Sequence, residues 1–301
     1  MKTKNSNINM FSKKSAIAVF VLPSLVLFTA ILLIPIIQMF YYSLCDYMNM
    51  KKPVFIGLQN YISLFKEDEI MRMALKNSIF FTIFSAVTQQ IFGMLLAVLL
   101  SNLKRGKNLF KNIYYLPCVL SSAALALLWS FMFNPRIGIN SLLAKIGIEG
   151  PMWLMDTKGF IVLPMWVIGF VATWQYVGQT MMLYMAQISG IPTALYEAAY
   201  IDGATKSQAF WHITFPLLKP MVATTLSLNC IGSLKFFDLV FNMTGGGPGY
   251  RTSVMATYLY EQGFKFYKMG YASSIGVVLL VMCLTVTLII NKGIKVEDYE
   301  M

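Results

Sequence analysis

An apolar stretch around residues 229 to 238 contains polar and ionisable side chains whose types and spacing could bind a ligand. Lys235 and Asp238 are three positions apart, which would place both on one face of a continuous helix. Asn229, Ser233 and Phe236 occur in the same stretch. Amides, hydroxyls and a flat ring together hold a polar molecule through hydrogen bonds and stacking. This stretch is therefore a candidate for a ligand pathway.

A second apolar stretch repeats this chemistry. Gln175 and Gln179 are four positions apart and flank Tyr176, with Trp174 just before them. An amide that faced lipid would be costly, so both glutamines are expected to point away from the membrane. They would either touch a ligand or form hydrogen bonds between helices, and both interpretations stay open.

Catalytic machinery is not evident in the sequence. His212 is the single histidine, so a histidine-based triad or zinc cluster would have to give it every role. The glycine-rich segment 245–249 is not followed by the Lys-Ser/Thr pair of a nucleotide-binding loop. It would be either a flexible turn or a contact to another protein. The chain is therefore expected to be no enzyme and to bind no metal, ATP or other cofactor.

Composition identifies the elements that must position these residues. Hydrophobic residues make up 57% of the 301 residues, charged residues 12%, and the mean hydropathy is +0.63. These values indicate an all-α polytopic membrane protein. Five long intervals free of charge, and a sixth that is apolar apart from Lys235 and Asp238, predict six transmembrane helices within the domain 15–292. The predicted spans are 17–44, 77–101, 113–133, 161–187, 220–242 and 269–291.

The predicted fifth span allows the depth of Lys235 in the membrane to be estimated. Lys235 would lie about 21 Å from the start of that helix, within a hydrocarbon core of about 30 Å. Ionisable groups at such a depth usually face the interior of a bundle or a watery cavity. In the alternative interpretation, the Lys235 ammonium reaches the nearer interface and Asp238 pairs with it. The sequence leaves both open.

Basic residues orient the chain. The tail 1–14 and the turn after the second predicted span contain lysines and arginine without any acidic residue. The positive-inside rule then places both termini, including the tail 293–301, in the cytoplasm. The formal net charge of +11 is spread over the ends of the spans. Membrane lipid is therefore its expected partner, and nucleic acid is not.

A polar segment interrupts the apolar chain between the fourth and fifth predicted spans. The sequence predicts a helix over 193–201, a turn at Asp202-Gly203, and a second helix that restarts at a Thr205–Gln208 capping box and runs to about Ile213. Pro216 and Pro220 are expected to interrupt the pattern before the next span. Such an amphipathic hairpin would either rest on lipid or dock another protein.

The segment resembles the EAA loop of the permease subunits of bacterial ATP-binding-cassette importers. The matching residues are Glu197, Ala198, Ala199, Asp202, Gly203, Ala204, Phe210 and Pro216. The tracts 234–239 and 243–248 are similar to the carbohydrate-uptake branch, which includes maltose, multiple-sugar and glycerol-phosphate permeases. Met243 stands where leucine is common in that branch.

The resemblance implies a type I importer permease fold with a cytoplasmic coupling loop over 193–217. Its expected partners are a second homologous permease, an extracytoplasmic solute-binding protein and two ATP-binding subunits that hold ATP and Mg. The chain itself is expected in the bacterial cytoplasmic membrane. The resemblance further implies a carbohydrate as substrate, with contacts from the fifth span. Glycerol phosphate, another polar solute, or a secondary transporter are the alternatives. The sequence does not identify the sugar.

Overall fold

The computed structural model describes residues 14–294, with side chains from residue 19 onward. Almost all of the predicted tails 1–14 and 293–301 lies outside this range. Helices follow one another along nearly the whole described chain. They are α1 (Lys14–Phe28), α2 (Ile34–Ser43), α3 (Gln59–Lys66), α4 (Glu69–Ser101), α5 (Lys107–Val119), α6 (Ser122–Met132), α7 (Ile139–Lys145), α8 (Leu163–Ser189), α9 (Thr193–Ile201), α10 (Lys206–Ala209), α11 (Phe215–Leu234), α12 (Asp238–Thr244), α13 (Met255–Tyr260) and α14 (Met269–Gly293).

Short elements connect or extend these helices. π-helical turns over Thr29–Leu33 and Phe210–Thr214 join α1 to α2 and α10 to α11, and a third, Glu261–Lys265, extends α13. A small antiparallel hairpin follows α2, in which β1 (Cys45–Asp46) pairs with β2 (Val54–Phe55). The described chain is thus an α-helical bundle with one two-stranded ribbon.

Three helices in residues 14–294 are long and apolar enough to cross a membrane by themselves. They are the joined α1 and α2 from Val19 to Ser43, then α4 and α14. α5 and α6 qualify only as a pair, which is bent by 96°. α8 and α11 are as long as spans but contain amide and hydroxyl side chains that lower their apolarity. The predicted count of six spans therefore stays a prediction.

The predicted third span, 113–133, is wrong as one continuous helix. α5 ends at Val119, and Leu120 and Ser121 adopt extended backbone before α6 begins. Pro117 lies in the last turn of α5, where its missing N–H removes one backbone hydrogen bond to the preceding turn and weakens the end of the helix. Ser121 is the N-cap of α6, with extended backbone and no capping hydrogen bond from its side chain, and α6 leaves at 96° to α5.

The predicted fifth span, 220–242, is wrong at both ends. α11 begins five residues earlier, because the π-helical turn Phe210–Thr214 leads directly into it and widens the turn that precedes Pro216. The helix ends at Leu234, and residues 235–237 separate it from α12. Phe236 stacks on Phe81 of α4 with ring centroids 4.5 Å apart, and this contact accompanies the change in direction.

α4, α8 and α11 form the centre of the bundle, and α5 packs against α8. Glycine permits the α5–α8 contact, since a Cβ on Gly178 would lie 2.1 Å from the backbone oxygen of Tyr114. A polar network ties the three central helices together. The Tyr184 hydroxyl donates to Oε1 of Gln90, whose Nε2 donates to Thr225 Oγ1 at 3.0 Å.

Candidate functional site

The segment between α8 and α11 folds as a hairpin of two helices, which we call the α9–α10 hairpin (residues 193–214). α9 has the predicted bounds, Thr193–Ile201. Asp202 is its C-cap, and Gly203 follows with φ of +81°, the left-handed backbone that glycine adopts most easily. The N–H of Ala204 donates to the Ala199 carbonyl at 2.9 Å. The predicted helix and turn are confirmed.

The second arm of the hairpin begins at the predicted capping box. The Thr205 N–H donates to Gln208 Oε1 at 2.8 Å, and the Gln208 N–H donates to Thr205 Oγ1 at 3.3 Å. The arm does not end at Ile213, because the π-helical turn continues it into α11. The interpretation of Pro216 and Pro220 as interruptions is therefore wrong. Pro216 follows the π-helical turn Phe210–Thr214, whose wider backbone accommodates the missing N–H of proline.

The two arms of the hairpin are joined to each other, and much of the hairpin surface is exposed. Tyr196 Oη lies 2.9 Å from Thr214 Oγ1, and Ala209 is buried. Outside these contacts, apolar side chains remain uncovered by the described chain. Their exposed fractions are Leu195 44%, Tyr200 50%, Ile201 86% and Trp211 57%. Exposed apolar side chains on a polar segment are typical of a surface that meets lipid or another protein.

A notch of about 340 Å³ lies in the angle between the two arms. Of the residues matched to the EAA loop, Ala199, Asp202, Gly203 and Ala204 line it. Glu197 and Ala198 are exposed on α9 outside the notch. Phe210 packs instead against Trp211 and Phe215, and Pro216 belongs to α11. The notch can receive a side chain or a helix end from another protein.

A second cavity, which we call the polar cavity, lies among the central helices and has a volume of about 270 Å³. α4, α8 and α11 line it with amides, hydroxyls and aromatic rings. The lining residues are Phe81, Ser85, Gln89, Ala172, Tyr176, Gln179, Leu228, Asn229, Gly232, Ser233 and Phe236. Gln179, Asn229, Ser233 and Phe236 are among the predicted pathway residues, and the structure brings them together here.

The contribution of α4 to the polar cavity was missed by the sequence reasoning. Ser85 and Gln89 are four positions apart in an apolar helix, which is the same signal that Gln175 and Gln179 provide. The Ser85 hydroxyl is buried and has no hydrogen-bond partner within residues 14–294. The Asn229 side chain makes one long contact, 3.4 Å from Nδ2 to Thr180 Oγ1. The cavity thus retains unused hydrogen-bonding capacity for a polar ligand.

Gln175 does not line the polar cavity. It is 1% exposed, and its Nε2 donates to Ser122 Oγ of α6 at 3.0 Å. The structure therefore places Gln175 in a hydrogen bond between two helices, which is the second of the two interpretations that the sequence left open.

Lys235 and Asp238 also lie outside the polar cavity, and the expectation that they share one helix face is wrong. Lys235 is the C-cap of α11, and Asp238 begins α12 after a break in the helix. Both are exposed, and no ion pair joins them in the described part of the chain. Because α11 begins at Phe215, Lys235 lies about 30 Å from its start rather than 21 Å.

Comparisons with known proteins all find membrane components of transport systems. A family model described as "binding-protein-dependent transport system inner membrane component" matches residues 89–292. The probable ABC transporter permease protein YurN of Bacillus subtilis (strain 168) is 37% identical over 287 residues, which cover 93% of this chain and 96% of YurN. The probable starch degradation products transport system permease protein AmyD of Thermoanaerobacterium thermosulfurigenes is 32% identical, with 94% of each chain covered.

A solved structure agrees with these relatives. One chain of a bacterial ABC transporter involved in the import of the acidic polysaccharide alginate is similar, with a TM-score of 0.81 and 25% identity. The match covers 94% of this chain and 96% of that chain. The segment matched by the family model contains the whole α9–α10 hairpin and every lining residue of the polar cavity except Phe81 and Ser85.

Proposed function

This chain belongs to the family of inner membrane components of binding-protein-dependent transport systems, and from that membership we propose that it is one of two permease subunits of an ATP-driven carbohydrate importer. The resemblance to importer permeases is confirmed, and the chain is a transporter subunit. The observation that carries the proposal is the α9–α10 hairpin, whose apolar residues remain exposed at one end of the bundle.

The hairpin is the surface through which ATP hydrolysis in the partner subunits moves this chain. Two partner subunits bind ATP and Mg beneath it, and one arm or turn of such a subunit occupies the notch beside Gly203. Ala198 and Ala199 are small enough for a partner helix to approach closely. The exposed carboxylate of Glu197 is free to accept a hydrogen bond from a partner arginine or backbone amide. Closure of the ATP-binding subunits would then move α8 and α11, which flank the hairpin.

The hairpin end of the bundle is proposed to face the cytoplasm. α4 ends at Ser101 beside the hairpin, and Lys104, Arg105, Lys107 and Lys111 follow that end without an acidic residue. Short loops of this composition remain on the cytoplasmic side of bacterial membranes. The opposite end of the bundle, which carries α3 and the β1–β2 hairpin, would then meet an extracytoplasmic solute-binding protein, and a second permease would complete the pathway.

The polar cavity supports a neutral polyhydroxy substrate. Its lining supplies amide and hydroxyl groups together with the rings of Phe81, Tyr176 and Phe236, and it contains no lysine, arginine or histidine. Sugar hydroxyls bind to amides and hydroxyls, and sugar rings lie against aromatic faces. A phosphate ester would require cationic partners. A carbohydrate is therefore favoured over glycerol phosphate.

The substrate class is tested by purifying the chain with its associated subunits and solute-binding protein and screening solutes for stimulation of ATP hydrolysis. We expect stimulation when the binding protein is loaded with a sugar. Stimulation by glycerol phosphate or another charged solute, with no response to any sugar, would contradict the carbohydrate assignment.

Removing polar groups from the polar cavity is expected to slow uptake. Asn229→Leu and Gln89→Leu each remove hydrogen-bonding groups, and each should reduce the initial uptake rate about three- to ten-fold at subsaturating sugar, the equivalent of one hydrogen bond. Thr224→Val is the matched control, because Thr224 is exposed on α11 and donates only to the carbonyl of Pro220 in its own helix. Equal uptake by Asn229→Leu, Gln89→Leu and the control would exclude the cavity from the pathway.

A further inference from the structure

A third cavity lies at the end of α4 opposite the α9–α10 hairpin. Its volume is about 670 Å³, and Glu69, the first residue of α4, lines it. Ser101, the last residue of α4, lies beside the hairpin. A helix of 33 residues separates the two ends by about 50 Å. We call this space the acidic cavity.

The acidic cavity concentrates negative charge in a basic chain. Asp46, Glu67, Asp68 and Glu69 line it, with Lys268 as the cationic lining residue, although the chain as a whole has a formal net charge of +11. The carboxylates of Asp46, Glu67 and Glu69 form neither an ion pair nor a side-chain hydrogen bond within the described residues. Like charges around one space repel each other, so a bound cation would be stabilised there.

Asp68 differs from the other three, because its carboxylate is fully engaged. Oδ1 accepts from the Met71 N–H at 2.9 Å and so caps α4, while Oδ2 accepts from the hydroxyls of Tyr258 at 2.6 Å and Tyr271 at 2.5 Å. Burial, and then the hydrogen bond to Asp68, raise the pKa of Tyr258, so its hydroxyl remains a donor. This cluster fixes α4, α13 and α14 around the cavity.

Gln262 provides an independent sign of a ligand. It lines the acidic cavity and is only 7% exposed. Its side-chain amide forms no hydrogen bond to any residue between 14 and 294 and keeps access to the cavity. An amide oxygen next to free carboxylates is an acceptor set suited to a group with several N–H donors. The guanidinium of arginine has five such donors in a planar fork.

The walls of the acidic cavity are held in place before any ligand arrives. Asn60 Nδ2 donates to the carbonyls of Ser43 and Cys45, each at 2.9 Å. The start of α14 packs closely on the same segment, since a Cβ on Gly270 would lie 2.1 Å from the Cys45 oxygen. A rigid receptor loses little conformational entropy on binding, which favours a specific contact.

We propose that the acidic cavity receives an arginine side chain of the extracytoplasmic solute-binding protein and anchors that protein on this permease. The inference rests on the proposed function, because only that orientation places the cavity outside the cell. Charge complementarity selects the occupant, since free carboxylates and an unpaired amide oxygen match a guanidinium. The anchor would set the affinity and the salt dependence of docking and leave the chemistry of ATP hydrolysis unchanged.

The test uses the assembled transporter in lipid nanodiscs with its purified binding protein. The measured quantity is the concentration of binding protein that gives half-maximal stimulation of ATP hydrolysis. Removing two of the three free charges with Glu67→Gln plus Glu69→Gln should raise this concentration about ten-fold or more, and should weaken its dependence on sodium chloride. Gln262→Leu should raise it in the same direction, and the maximal rate should stay unchanged in all variants.

Controls separate docking from folding. Glu69 also lies in the first turn of α4, where a carboxylate stabilises the helix, so Glu67→Gln alone serves as the variant without that side effect. Glu149→Gln removes an exposed charge from the segment that precedes α8 at the same end of the bundle, and it should leave docking unchanged. An unchanged half-maximal concentration in the Glu67→Gln plus Glu69→Gln variant would overturn the inference. A wild-type complex that never responds to binding protein would instead refute the proposed function.

Discussion

ATP-driven uptake should fall at least about ten-fold when Glu197 is replaced by lysine, while the complex stays in the membrane and continues to hydrolyse ATP. Glu197 is exposed on α9, and its carboxylate has no hydrogen bond within residues 14–294, so it is free for a partner subunit. Reversing its charge repels a partner cation without disturbing the bundle. Uptake and hydrolysis are to be measured in the same vesicles, so that their ratio reports coupling.

Glu197→Gln is the matched control for this experiment. It retains the size of the side chain and an acceptor oxygen but loses the charge, so uptake should fall between the wild type and Glu197→Lys. Wild-type uptake by the Glu197→Lys complex would mean that this carboxylate does not contact the ATP-binding subunit.

The turn of the α9–α10 hairpin should be the second position of large effect. Gly203 has φ of +81°, and a Cβ there would meet no atom within 4 Å, so backbone conformation and not space limits the residue. Valine tolerates the left-handed region poorly, at a cost of about 1–2 kcal/mol or more. We expect Gly203→Val to shift the two arms of the hairpin and to lower uptake about ten-fold, measured as sugar accumulated in vesicles.

Gly203→Asn is the control for the Gly203→Val result. Asparagine adds a side chain of similar volume but enters the left-handed region far more readily than other non-glycine residues. It should therefore retain most of the uptake. If Gly203→Asn and Gly203→Val lost uptake equally, the added bulk against the partner would be responsible, and the role assigned to the backbone of the turn would be wrong.

The local structure of the hairpin could be predicted because its signals are local. The Asp202-Gly203 turn and the Thr205–Gln208 capping box each satisfy backbone groups within a few residues, so the sequence specifies them without help from the rest of the fold. The bounds of α9 follow from the turn. The apolar residues of α9 are exposed because the hairpin lies outside the bundle, between the end of α8 and the start of α11.

The breaks in the helices could not be predicted, because tertiary contacts decide them. Nothing near Phe236 in the sequence signals that its ring will stack on Phe81, more than 150 positions earlier. That contact accompanies the end of α11 at Leu234 and separates Lys235 from Asp238. The π-helical turn that admits Pro216 has no recognised sequence signal either, so the helix was expected to begin too late.

The polar cavity could be predicted only in part, because some of its lining follows from spacing within one helix and the rest from contacts between helices. Asn229 and Ser233 are four positions apart on α11, and Gln179 follows from the cost of exposing an amide to lipid. Ser85 and Gln89 show the same four-residue spacing on α4, but that spacing does not tell that their face of α4 meets α8 and α11 at a cavity. Gln175 shows the converse, because the Nε2 group of a buried amide can donate to a neighbouring helix instead of to a ligand.

Uptake of a labelled sugar into proteoliposomes tests the central claim most directly. The vesicles would contain the complete complex, with ATP inside and the solute-binding protein outside. We predict that accumulation requires both, stops when ATP is replaced by a non-hydrolysable analogue, and is unaffected by dissipating ion gradients. Accumulation driven by a proton or sodium gradient without internal ATP would contradict the account and would identify the chain as part of a secondary transporter.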